Sequence, residues 1–196
     1  MKPLVDIYKE GFFKKRNSLL WRVPVVCEPI VKEFKPYSIV DVGCGVGEYV
    51  MGFFGLGVHF SYGIEGSENC LPYIVVSNKY ISIQDLRIEF DLKKSFDLAM
   101  SFEVAEHIEP EYADQYLDNL TRLSDRILLT AAPPGQSGHY HVNCQPKEYW
   151  IEKFNLLGYA NIQERAERVK EAWLPWKHRK EIYGGYYNNL LYFERG

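Results

Sequence analysis

Apolar residues in this chain gather into short β-branched runs, and longer amphipathic stretches lie between or after them. The runs are Ser38–Val42, Phe60–Glu65, Tyr80–Gln84, Phe96–Phe102 and Arg126–Ala132. Helical patterns cover Glu48–Phe54, Pro110–Leu123 and Pro146–Leu157. Strands alternating with helices predict parallel crossover units, and hence an α/β fold with a doubly wound sheet. Residues 1–37 read as an N-terminal helical arm. There Ile7, Tyr8, Phe12, Phe13, Leu19, Leu20 and Trp21 are irregularly spaced, and Pro24 and Pro29 are expected to break the pattern. The tail adds a predicted helix at Glu164–Lys180 and a last strand at Asn188–Glu194. No repeat, low-complexity segment or linker divides residues 38–196, which read as a single domain.

Composition narrows the picture only a little. At 196 residues and 46% hydrophobic content, the chain has room for a full core. A net charge of −3 disfavours nucleic acid as a partner, and the short run Lys14-Lys15-Arg16 reads as a solvated face. Cys27, Cys44, Cys70 and Cys144 are widely separated and form no CxxC pair. They fit neither a zinc site nor a disulfide framework, which points to a reduced, cytoplasmic protein. No signal peptide opens the chain and no apolar run approaches the ~20 residues of a membrane span, so a soluble protein is expected.

The sharpest local pattern is Asp41-Val42-Gly43-Cys44-Gly45-Val46-Gly47-Glu48. A strand runs into three alternating glycines and then a helix start. Glycine there permits positive φ and lets backbone amides approach a ligand. In a doubly wound sheet such a turn lies at the carboxyl end of a central strand, where ligands bind. A dinucleotide fingerprint would carry its last glycine at position 48, which is Glu. The next strand ends in Glu65, a planar carboxylate able to take both hydroxyls of a ribose. The third ends at Gln84-Asp85-Leu86, where Asp85 could accept from an adenine amino group while Leu86 packs the ring.

With these residues the chain resembles the class I S-adenosylmethionine-dependent methyltransferases over about residues 38–163. The resemblance implies a seven-stranded, mostly parallel sheet with an antiparallel last strand, and S-adenosylmethionine as methyl donor. It implies a cofactor-binding set of Asp41, Gly43, Cys44, Gly45, Gly47, Glu65, Gly66, Asp85, Leu86 and Phe102.

After the fourth strand comes Glu103-Val104-Ala105-Glu106-His107. A helical turn begun at Glu103 would place Glu103, Glu106 and His107 on one face, a plausible site for Mg²⁺ or Mn²⁺. The loop after the fifth strand carries His139 and His141, which alternation in an extended segment would point the same way, as a further ligand or a general base. This ExxEH arrangement is similar to that of two metal-dependent O-methyltransferase groups, which act on small-RNA 2′-hydroxyls and on ubiquinone precursors. His107, His139 and His141 are the candidate catalytic groups. The expected reaction is metal-assisted O-methylation of a sugar or glycan hydroxyl, with the aromatic tail around Trp173, Trp176 and Tyr183–Tyr187 facing the acceptor. RNA ribose, a catechol or quinol, and a catalytically silent donor-binding module are the alternatives. The arm has two readings, a lid over the cofactor or a contact in a homodimer.

Overall fold

The computed structural model describes residues 1–196, the side chain of Asn17 excepted. Seven strands form one sheet in the order β3-β2-β1-β4-β5-β7-β6. They are β1 (Ser38–Val42), β2 (Phe60–Glu65), β3 (Ile81–Ile83), β4 (Leu98–Phe102), β5 (Arg126–Thr130), β6 (Tyr159–Asn161) and β7 (Leu191–Arg195). Strands β1 to β5 pair in parallel, and β7 runs antiparallel to both of its neighbours. This is the expected sheet, and β1 and β2 occupy their predicted bounds. The short β6 was not expected: three residues ending in Asn carry too little periodicity to be read.

Alternation along the central strands sorts side chains onto two buried faces. Ile39, Leu98, Met100, Phe102 and Leu128 pack beneath α3 (Arg22–Phe34), α4 (Glu48–Gly55) and α7 (Gln163–Trp173). Val40, Val42, Ala99, Ile127 and Leu129 pack beneath α5 (Ala113–Leu123) and α6 (Lys147–Leu156). The order in which strands are added reverses between β1 and β4, which opens a crevice at their carboxyl ends.

Two expectations about helices are corrected. Pro24 and Pro29 do not break the arm: α3 runs through both. Pro24 lies in the first turn, where an amide hydrogen has no helical acceptor in any case. Pro29 removes the amide that would bond the carbonyl of Val25, and the indole Nε1 of Trp173 donates to that carbonyl instead, at 2.9 Å. The tail helix is also shorter than predicted. It ends at Trp173, continues as a single turn Leu174–Trp176, and is followed by a π-helical segment at Glu181–Tyr187.

Ahead of α3, the arm folds as α1 (Leu4–Ile7) and α2 (Glu10–Arg16) and lies over the crevice. The Pro29–Trp173 relation has a measurable consequence. Trp173→Phe strips the Val25 carbonyl of its donor and is expected to lower unfolding free energy by about 2 kcal/mol in urea titrations. Adding Pro29→Ala returns a backbone amide and is expected to recover part of that loss. Strict additivity of the two changes would show that the indole does not stand in for the amide.

Candidate active site

The glycine turn adopts the conformation its residues allow: Gly43, Gly45 and Gly47 have φ of 82°, 60° and 76°. The amides of Gly43 and Cys44 both donate to the Ile64 carbonyl, at 2.7 and 3.0 Å, which folds the turn back on β2. The Gly45 amide donates to Glu65 Oε2 at 2.9 Å, and the Ser67 amide to Oε1 at 3.0 Å. The Glu65 carboxylate is thus held rigid beside the turn, and each oxygen keeps a lone pair for a ligand. Burial pushes its carboxyl above the usual range, against the pull of those amides.

These groups border an open cleft that encloses, together with the solvent at its mouth, about 600 Å³. Gly43, Gly45, Glu65, Gly66, Asp85, Leu86 and Phe102 line it. Asp41, Cys44 and Gly47 lie outside the lining. Cys44 points its sulfur at β2, where a Cβ on Gly63 would stand only 2.6 Å from it. Gly47 caps α4 and faces Val76. Asp41 is buried, and its Oδ2 has no partner among the described residues. Burial, then the Glu48 charge, raises its carboxyl well above the ordinary range.

Asp85 is already engaged. Arg87 donates to it through its backbone amide (3.0 Å), Nε (2.9 Å) and Nη2 (2.8 Å). Nη1 of the same guanidinium reaches Glu109 at 3.1 Å, and Nη2 also donates to the Lys2 carbonyl at 3.0 Å. Arg87 therefore ties the end of β3, the loop after β4 and the start of the arm together. Sequence reasoning missed it, as it missed Leu4, Tyr8 and Phe12, which the arm contributes to the lining. No period marks any of them.

Arg16 corrects the reading of Lys14-Lys15-Arg16 as one solvated face. Lys14 and Lys15 are exposed, whereas Arg16 turns inward onto the fully buried Glu48, with Nε at 3.0 Å and Nη2 at 2.6 Å from Oε1. Arg22 Nη2 reaches the same oxygen at 3.1 Å. Burial alone would raise the Glu48 carboxyl, but the two guanidiniums outweigh it and hold it below the usual range.

The second cluster stands where β4 and β5 end. Glu103 does not start a helical turn. It sits at φ 55°, a costly conformation for a side-chain-bearing residue, with its amide bonded to Thr130 Oγ1 at 2.9 Å, and the turn begins at Ala105. Glu106, His107 and His141 converge, their ligand atoms all within 4.8 Å of one another. Both carboxylate oxygens of Glu106 are buried without a hydrogen-bond partner among the described residues. Burial, reinforced by Glu103, raises that carboxyl well above its ordinary range.

His139 leaves this cluster. Tyr140 lies at φ 55°, which breaks the alternation expected of the loop, and His139 Nε2 donates to the Ile7 carbonyl of the arm at 2.8 Å. His107 Nδ1 pairs with the Tyr140 carbonyl at 3.1 Å and His141 Nδ1 with the Gln136 carbonyl at 2.9 Å. A carbonyl only accepts, so each Nδ1 carries the hydrogen, and in the neutral form of either ring the lone pair is on Nε2. Burial, with His141 and His139 nearby, drops the His107 pKa to about 4 and keeps its ring neutral.

Glu103 stands beside this group and lines the cleft. Its Oε2 accepts from Gln136 Nε2 at 3.1 Å, and its buried Oε1 has no partner among the described residues. A Cβ on Gly185 would lie 3.1 Å from Oε2, so the π-helical segment brings bare backbone against this carboxylate. Of the tail aromatics, Trp173 and Tyr186 are core residues, while Tyr183 and Tyr187 stack at 4.8 Å and Tyr183 is exposed.

Residues 40–125 match a family described as a methyltransferase domain. No curated protein matches the chain. Solved structures share the fold. Magnesium protoporphyrin IX methyltransferase from Synechocystis PCC 6803 with bound SAH superposes with a TM-score of 0.62 at 17% identity, covering 92% of this chain and 85% of that one. A sugar N-methyltransferase from a Streptoalloteichus species gives 0.66 at 13% identity, over 95% and 92%. The methyltransferase domain of a bacterial Hen1 gives 0.56 at 16% identity, over 73% and 88%. The fold is the Rossmann-like methyltransferase fold.

The Glu48 charge group yields a pH prediction. The folded state holds this carboxyl ionised more firmly than the unfolded chain, where its pKa is about 4.3. Its stabilisation is therefore complete above that value and is lost as pH falls through the lower folded value. Glu48→Gln is expected to cost about 3 kcal/mol at pH 7, with the gap to wild type narrowing below about pH 4 in acid and urea titrations. A gap that stays constant down to pH 3 would contradict this assignment.

Proposed function

We propose that this protein transfers a methyl group from S-adenosylmethionine to a hydroxyl of a sugar or glycan, assisted by a divalent cation. One observation carries the O-methyl reading: Glu106, His107 and His141 converge at the end of β4, beside the cleft that Gly45 and Glu65 border.

The donor side follows from the rigid carboxylate. Glu65, fixed by two amides, offers its remaining lone pairs to a ribose diol. Gly43 and Gly45 let backbone approach the adenosyl-methionyl link, Leu86 packs the base, and Asp85, oriented by Arg87, faces its amino group. When bound, the donor supplies a methyl group on a sulfonium, and the protein's contribution is to hold acceptor and methyl close and collinear.

The residues of the second cluster fit a cation. Glu106 has two buried oxygens with no hydrogen bond among the described residues, a costly state for an isolated charge and a reasonable one for a ligand. His107 and His141 have their Nδ1 atoms committed to carbonyls, the arrangement that orients imidazole ligands. Glu106, His107 and His141 would hold Mg²⁺ or Mn²⁺, which lowers the pKa of a bound hydroxyl and orients it. His107, with its Nδ1 committed to the Tyr140 carbonyl, serves as ligand in this reading. Glu103, on the cleft with Oε1 free, takes the acceptor's proton. His139 holds the arm closed through the Ile7 carbonyl.

The sugar acceptor draws support from the backbone of Gly185 beside Glu103 and from the stacked Tyr183 and Tyr187 rings on the same segment. The sugar N-methyltransferase of the same fold is a precedent for carbohydrate on this scaffold.

An acceptor panel of sugars, glycans, catechols and RNA with labelled donor tests this reading. Methylation of vicinal diols is expected to fall at least tenfold on exhaustive chelation and to return with Mg²⁺ or Mn²⁺. Glu106→Gln and His141→Ala are expected to weaken metal affinity about 10- to 100-fold, with calorimetric binding of SAH unchanged. Transfer confined to nitrogen acceptors, or indifferent to chelation, would refute it. Separately, Glu103→Gln is expected to lower kcat by about 10² or more while leaving SAH and metal affinities intact. A variant as active as wild type would remove Glu103 as the base.

A further inference from the structure

The turn that joins α7 to the π-helical segment concentrates positive charge. Lys177, Arg179 and Lys180 fall within four residues, in a chain whose net charge is −3. Lys177 and Lys180 are exposed and make no ion pair among the described residues. Two acids flank the turn, Glu171 and Glu181. Glu181 lies 3.7 Å from Arg179 Nε, and neither acid pairs with a lysine of the turn.

Aromatic rings hold the turn in place. Trp176 packs on Trp21 with ring centres 5.8 Å apart, and His178 stacks over Trp176 at 6.3 Å. The Arg179 guanidinium lies 4.0 Å above the Trp21 ring, a contact that fixes its position and leaves its charge uncancelled. The stem of Lys180 reaches forward along the chain: a Cβ on Gly184 would stand 3.8 Å from its Cγ. The next residue, Gly185, faces the Glu103 carboxylate, and the exposed Tyr183 belongs to the same segment. Cations, an open ring and the carboxylate of the acceptor side therefore follow one another along a single short stretch of chain.

A neutral glycan makes no use of this charge. A phosphate does, since its oxygens accept charge-assisted hydrogen bonds from several cations at once. The patch is one turn long, which is short for following a nucleic-acid backbone. Its tryptophans are engaged with each other and with Arg179, and Leu174 is the only large aliphatic side chain that the turn exposes, which suits a membrane surface poorly. Resting on the sugar-acceptor reading above, we propose that the acceptor is a small sugar bearing phosphate, either a sugar phosphate or a nucleoside-diphosphate sugar. Lys177, Arg179 and Lys180 bind the phosphate, and the sugar lies over Tyr183 and Gly185 toward Glu103.

Titrations of the intact protein, followed by tryptophan fluorescence at about 0.15 M salt, test this without any methyl transfer. The probes are inorganic pyrophosphate, uridine diphosphate, a single-stranded RNA oligonucleotide and phosphatidylglycerol vesicles. Pyrophosphate and uridine diphosphate are expected to bind, and the double variant Lys177→Ala, Lys180→Ala to weaken both about tenfold, with calorimetric SAH affinity within twofold of wild type. Tighter binding of uridine diphosphate than of pyrophosphate identifies a nucleoside-diphosphate sugar, and equal binding a simple sugar phosphate. In transfer assays the double variant is expected to raise KM for phosphate-bearing sugars about tenfold, with kcat unchanged. Phosphate probes that do not bind, or that bind the double variant as well as wild type, overturn the proposal. So does RNA or vesicle binding tighter than that of either small probe. Methylation of neutral sugars by a protein that ignores both phosphate probes overturns this inference alone. Absence of SAH binding, or transfer confined to acceptors other than sugars, overturns the reading on which it rests.

Discussion

One buried carboxylate holds together the parts of this molecule that have to meet. Glu48 opens the helix after the glycine turn, and through a single oxygen it fastens Arg16 of the arm and Arg22 of α3 to that turn. Without it, two guanidiniums would lose the carboxylate they both bind, and the end of the arm would lose its tie to the glycine turn. The cleft is a product of that attachment: its floor belongs to the strands, its roof to residues 4–16, and the ion group is the seam between them.

The second cluster is organised on a different principle, backbone strain. Two of the four non-glycine residues with positive φ, Glu103 and Tyr140, stand on either side of it. Each costs about 1–3 kcal/mol, and each redirects the chain so that side chains from two loops face one another. The conformation at Glu103 separates its carboxylate from Glu106, and the conformation at Tyr140 separates His139 from His141. One motif on each loop is thereby divided between the Glu106–His107–His141 cluster and a group that faces the cleft or the arm.

Much of the sheet was legible because its strands are buried on both faces and end in glycine or a carboxylate, as at Val42-Gly43 and Ile64-Glu65. The glycine turn was legible for the same reason, since alternating glycines between a strand and a helix have few other uses. What escaped was set by distant partners. The prolines of α3 look like breaks until an indole 148 residues away supplies the missing hydrogen bond. Arg16 looks like part of a basic run until a carboxylate 32 residues away draws it inward. The positive φ at Glu103 cannot be read from its own residue type, because only the fixed ends of β4 and β5 impose it. Local patterns report what a segment prefers, and these sites reflect what the assembled sheet requires.

The bond from Trp173 to the Val25 carbonyl also bears on the order in which the molecule matures. A ribosome releases the proline-bearing helix long before it has made the indole that completes it. Until the C-terminal third of the chain docks, the Val25 carbonyl has only water to supply its hydrogen bond. The first long helix therefore gains its last internal partner from almost the end of the chain, which couples its final stability to the packing of the tail.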